Sequence, residues 1–113
     1  MMKDKPIMYV FDNELLTSPQ GKGLFDDIDI PSIVKEYNWN VAQFMWGPPS
    51  SGAPLHYHQD AWNGLVFGEK KWWFYPPSET ISSIRITDTW ESAYYCTQTP
   101  GDFVYVPDAW SHA

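Results

Sequence analysis

At 113 residues the chain has room for one domain and no separate regulatory module, and its 43% hydrophobic and 18% aromatic content excludes a disordered chain. A net charge of −7 argues against a surface built to neutralise phosphates, so no nucleic acid is expected as a partner; a protein or a small molecule is. Cys96 is the only cysteine, which rules out an internal disulfide and a cysteine-built zinc site.

In chain order, Met1 to Val10 mixes Lys3, Asp4 and Lys5 with too short an apolar run for a signal peptide. No later segment approaches the length of a membrane span. The expectation is a soluble, intracellular protein of cytoplasm or nucleus, with an organelle lumen left open. Ile7 to Phe11 is predicted as a short strand, followed by Asp12, Asn13 and a turn at Ser18-Pro19-Gln20-Gly21. Pro31 to Tyr37 is predicted as a helix, because Pro31 suits a first turn and Ile33, Val34 and Tyr37 fall on one apolar stripe. Residues 1–40 thus form an N-terminal strand and helix extension to a core of residues 41–113.

From Trp39 short apolar runs alternate with breakers, the pattern of an all-β sandwich or barrel. The predicted strands are Val41 to Trp46, Leu55 to Gln59, Asn63 to Phe67, Lys71 to Tyr75, Tyr94 to Gln98 and Phe103 to Val106. Turns fall at Gly47-Pro48-Pro49, Gly68-Glu69, Pro76-Pro77-Ser78 and Thr99-Pro100-Gly101-Asp102. Ser78 to Glu91 reads equally as a helical turn or a long loop. The fold class is all-β with a minor helix. Ala113 follows a strand-and-turn pattern directly, so a domain incomplete at its C-terminus is expected, with an unpaired barrel edge beside His112.

The three histidines carry the chemistry. His56 and His58 alternate on one predicted strand, so both rings point to one face, and Asp60 continues that face if the strand does. Two imidazoles from one strand and a third from a distant one outline a facial metal triad with open coordination positions. Alternatively, each histidine is a packed or surface residue, or His58-Gln59-Asp60 supplies the ligand dyad. Asp60 can otherwise act as an acceptor that orients an imidazole.

The run from Gly101 to His112, with Pro107 and Trp110, resembles the second cupin motif G-x5-P-x-G-x2-H, with Ala109 in place of its last Gly. The stretch from Gly52 to Pro77 resembles the JmjC core: a His-x-Asp/Glu dyad, then W-N-x-L-v-x-G-x-K-x-W-x-x-y-P-P, here Trp62 to Pro77. The distal G-x5-P-x-x-W-x-H is met by Gly101 to His112. The resemblance covers residues 41–113 and implies a double-stranded β-helix of the jelly-roll, cupin-like kind.

It further implies an Fe(II)- and 2-oxoglutarate-dependent dioxygenase hydroxylating or demethylating a protein side chain. In that family's terms His56 and His112 fall on the iron-binding histidines and His58 on the carboxylate position. Lys70 falls on the lysine that pairs with the distal carboxylate of 2-oxoglutarate, and Asn63 on a polar cosubstrate contact. A cation fits that role because a buried dicarboxylate needs one to offset its desolvation; Lys70 also reads as a turn lysine beside Glu69. Trp72, Trp73, Phe74 and Tyr75 read as packing residues.

Two positions depart from the JmjC pattern: His58 replaces the usual carboxylate, and Ala53 stands where many members place a cosubstrate-bonding Thr. His-x-His does occur in a JmjC subgroup. Three neutral imidazoles leave a divalent ion with two net positive charges, where two histidines and a carboxylate leave one, which alters metal preference and redox behaviour. The rival functions are a non-catalytic JmjC-like protein-binding domain and a three-histidine metal cupin acting on a small molecule.

Overall fold

The computed structural model describes residues 8–37, 41–79, 81–84, 91 and 94–113, so Ile7 and most of the stretch between Glu79 and Glu91 lie outside it. The chain divides into two compact units, Met1–Ser51 and Gly52–Ala113.

In the first unit β1 (Val10–Asp12) pairs antiparallel with β2 (Phe44–Trp46), with Val10 opposite Trp46 and Asp12 opposite Phe44. Between them lie α1 (Pro19–Asp26) and α2 (Ser32–Lys35). The turn expected at Ser18 to Gly21 is instead the start of α1. The Ser18 hydroxyl accepts the Gly21 N–H at 3.0 Å, and Pro19 occupies the first helical turn, where a missing N–H costs nothing. Ser-Pro-x-Gly is consistent with both outcomes, and the cap decides for the helix. The predicted helix over 31–37 shrinks to α2, with Pro31 as its flanking residue and Val34 buried.

In the second unit β3 (Ala61–Gly64) pairs antiparallel with β6 (Phe103–Val106), and β4 (Lys70–Tyr75) lies between β5 (Tyr94–Gln98) and β7 (Ser111–His112). β5 and β6 have the predicted bounds; β4 begins one residue earlier, and β3 starts two residues before and ends three residues before its prediction. A single 3₁₀ turn, Pro77–Glu79, follows β4. Gly101, at φ 93°, closes the turn before β6; Asp102 Oδ2 accepts there from both the backbone and the hydroxyl of Thr99.

β4 is rich in aromatic residues suited to a pleated surface. Lys70, Trp72 and Phe74 share one face with Gln98, Cys96 and Tyr94, their partners in register; Lys71, Trp73 and Tyr75 share the other. Tyr75 is buried, and its hydroxyl donates to the Glu91 carbonyl. At His112 backbone hydrogen bonds are made on both sides of β7. Trp73 and Ala113 exchange backbone hydrogen bonds at 3.1 Å each on one side, and His56 pairs with His112 on the other.

Gln98, only 1% exposed, joins the two sheets. Its amide oxygen accepts the Trp72 indole N–H at 2.8 Å, and its amide nitrogen donates to the carbonyls of Asn63 (2.9 Å) and Asp102 (3.0 Å). A buried amide is tolerated because both its ends are bonded. Gln98→Leu strands the indole N–H and two carbonyls, so it should lower unfolding free energy by roughly 2–4 kcal/mol. Urea denaturation measures this, and a variant within about 0.5 kcal/mol of the parent would show that the amide is not a structural tie.

Candidate metal centre

The side chains that could ligate a metal gather in the second unit. His56, His58 and His112 each offer one ring nitrogen, and these atoms lie within 4.8 Å of one another. The strand expected over Leu55 to Gln59 is reduced to one bridge. His56 N–H donates to the His112 carbonyl at 3.0 Å, and His112 N–H to the His56 carbonyl at 2.7 Å. The segment is held beside this bridge by Leu55, which exchanges bonds with Ser83, and by the Ala109 N–H, which donates to the His58 carbonyl at 3.1 Å.

Residues directly opposite in an antiparallel pair share a face, so the His56 and His112 rings meet, with centroids 4.3 Å apart. Alternation brings His58 to the same side, 5.3 Å from His56 and 4.6 Å from His112.

Each ring is oriented by a main-chain carbonyl. Nδ1 of His56 donates to Pro54 (2.8 Å), that of His112 to Trp110 (2.9 Å) and that of His58 to Gln59 (2.5 Å). A carbonyl can only accept, so Nδ1 carries the proton, and in the neutral ring Nε2 is left with the lone pair. That tautomer is the one a metal requires, and carbonyl partners of this kind raise ligand basicity. Three nitrogens at ~2.1 Å from one ion stand about 3.0–3.6 Å apart, so seating a metal would draw the widest separation in by about 1–2 Å.

Burial is unequal. His112 is 3% exposed, His56 half-buried and His58 exposed. Burial pushes the His112 imidazole down to about 4; the Trp110 carbonyl opposes this, and the nearby His56, His58 and Lys70 add to it. The His112 ring lies 6.1 Å from Trp72 and 6.4 Å from Phe74, on the face of β4 that also carries Lys70. Burial lowers Lys70 to about 8, and its Nζ sits 4.0 Å from the Trp72 ring centroid.

Asn63 lies on β3 opposite Val104, and its carbonyl takes the Gln98 amide. Asp60 stands outside the imidazole cluster; its exposed carboxylate accepts the Tyr105 hydroxyl at 3.4 Å. An apolar cleft of about 330 Å³ in the first unit is lined, among the described residues, by Met8, Val10, Trp46, Gly47 and Pro48.

Sequence reading missed two supports of this site. One is Gln98, signalled only by a polar residue on the Tyr94 and Cys96 face of β5. The other is the backbone at Ala109, at φ 62°, in the turn that returns the chain from β6 to β7 and so delivers His112. The cupin motif has Gly at this position, and the left-handed conformation accounts for it.

Chains with related sequences include Lysine-specific demethylase JMJ21 of Arabidopsis thaliana, 27% identical over 97% of this chain and 16% of its own length. The bifunctional arginine demethylase and lysyl-hydroxylase psr-1 of Caenorhabditis elegans is 24% identical over 97% of this chain and 37% of its own. The human JmjC domain-containing protein 8 is 32% identical over 56% of this chain and 29% of its own. The chain therefore spans well under half the length of each of these relatives. No family model matches, and no solved structure does. No helix among the described residues is long and apolar enough to cross a membrane.

Two outcomes test this geometry. Ala109→Gly should stabilise the protein by about 0.5–1 kcal/mol, since relief of left-handed strain exceeds the added freedom of the unfolded chain. A shift to lower stability in thermal unfolding would contradict the strain. Because His112 titrates lower folded than unfolded, its contribution is complete above pH 6.5 and is lost as pH falls toward about 4. Urea midpoints of the metal-free protein should thus fall more steeply with acid than those of His112→Asn; parallel curves would show that His112 is not held neutral.

Proposed function

We propose that this chain, which belongs to the JmjC family, is an Fe(II)- and 2-oxoglutarate-dependent oxygenase that hydroxylates or demethylates a protein side chain, built on a double-stranded β-helix. The observation that carries this reading is the convergence of three imidazoles, each with Nδ1 at a main-chain carbonyl. The relatives named as demethylases and hydroxylases of lysine and arginine support a protein substrate.

His56, His58 and His112 would hold iron through Nε2, and Lys70 and Asn63 would contact 2-oxoglutarate. Bound together, iron and 2-oxoglutarate supply the oxidising power for hydroxylation or N-demethylation. The chain's own residues supply geometry. The carbonyls of Pro54, Gln59 and Trp110 keep the rings from turning. Burial of His112 keeps its nitrogen unprotonated far below neutral pH and shields that side of the site from water. Lys70 brings a cation to the sheet face beside His112, where a dicarboxylate would otherwise pay its full desolvation.

A second reading follows from His58. Three neutral donors leave a dipositive centre, as in a three-histidine metal cupin acting on a small molecule, and such a centre makes no use of Lys70 for 2-oxoglutarate.

Anaerobic titration with Fe(II) and then 2-oxoglutarate separates the readings. The oxygenase predicts one tightly held iron and a visible metal-to-ligand charge-transfer band on adding 2-oxoglutarate, both lost in His56→Ala. Iron binding without the band favours the three-histidine cupin. Absence of metal binding points to a non-catalytic, protein-binding JmjC-like domain.

A further inference from the structure

Lysine is a mobile charge on a four-carbon stem, and fixing it in one place carries an entropic cost of about 2 kcal/mol. Lys70 has that place defined before any ligand arrives. Its Nζ lies 4.0 Å from the centroid of the Trp72 ring, within the range in which an ammonium is drawn to an indole face. The described residues offer it no carboxylate at ion-pair distance. Lys70 is half-buried, and the indole is the contact that stands in for water at its ammonium.

The indole is fixed in turn. Lys70, Trp72 and Phe74 form a row on one face of β4, and the Trp72 and Phe74 rings stack at 5.7 Å with planes 8° apart. The Trp72 N–H donates to Gln98 Oε1, and Gln98 can present that oxygen in one sense only, because its amide nitrogen is bound to the carbonyls of Asn63 and Asp102. The amide therefore sets the indole, and the indole sets the ammonium, on the face that carries His112.

We propose that Trp72 and Gln98 are positioning residues that hold Lys70 as a ready-made seat for the distal carboxylate of a 2-oxo dicarboxylate. This rests on the reading of Lys70 as the dicarboxylate contact, and adds that its affinity depends on preorganisation by two residues that never touch the ligand.

The experiment compares two probes on the iron-loaded protein under anaerobic conditions, by equilibrium titration. 2-Oxoglutarate has a distal carboxylate, whereas pyruvate has the same 2-oxo acid group without one. The ratio of their affinities isolates the seat at Lys70, because general loosening of the site weakens both alike. Lys70→Met is expected to abolish the preference for 2-oxoglutarate. Trp72→Phe, which keeps a ring but loses the anchoring N–H, is expected to lower it about three- to tenfold with pyruvate affinity unchanged. Gln98→Met, which frees the indole without removing it, is expected to lower it in the same direction.

An unchanged ratio in Lys70→Met removes Lys70 from the dicarboxylate site and overturns the reading beneath. A ratio lost in Lys70→Met but kept in Trp72→Phe, or in Gln98→Met should Trp72→Phe not fold, overturns the positioning role alone.

Discussion

The reciprocal backbone pair between His56 and His112 is the constraint on which the second unit turns. It joins segments far apart in the chain, and closing so long a loop costs entropy that local contacts cannot offset. The pair is accordingly supported from both sides. β4 binds β7 through Trp73 and Ala113, and Ser83 binds Leu55. Once the two N–H groups and two carbonyls are matched, strand geometry does the rest. Opposed side chains share a face and alternation adds the third, so one register sets three rings and a slip of one residue would disperse them.

The polar interior follows a similar economy. Gln98 is buried, where an unbonded amide would be costly, and both its N–H groups and its oxygen are bonded, by three segments: β4, β3 and the turn at Asp102. It ties the β3–β6 ribbon to the three-stranded sheet at a defined separation. Packing alone, being non-directional, would leave that spacing less defined.

Much of the second unit was legible in the residues. β5 and β6 were bounded correctly because turn chemistry flanks them: Thr99-Pro100-Gly101-Asp102 permits little else, and Gly101 adopts the positive φ that the position demands. The grouping of His56, His58 and His112 was legible from alternation and motif spacing, although the strand expected there is a single bridge, since alternation needs only an extended backbone. What local pattern could not give was partnership. Ser18 and Pro19 fit turn and helix alike until the Gly21 N–H is seen to be capped. Gln98 is an unremarkable strand-end residue until three separate segments reach it. Asp60, a plausible ligand by sequence, turns to Tyr105.

The three rings differ in how firmly they are packed, from His112 in the interior to His58 at the surface. For an ion held there, capture and release have a direction. The solvent-facing ring of His58 would be the first to meet an arriving ion, with half-buried His56 and buried His112 behind it. His58 would then bear on both the charge of such a centre and the ease with which an ion leaves it.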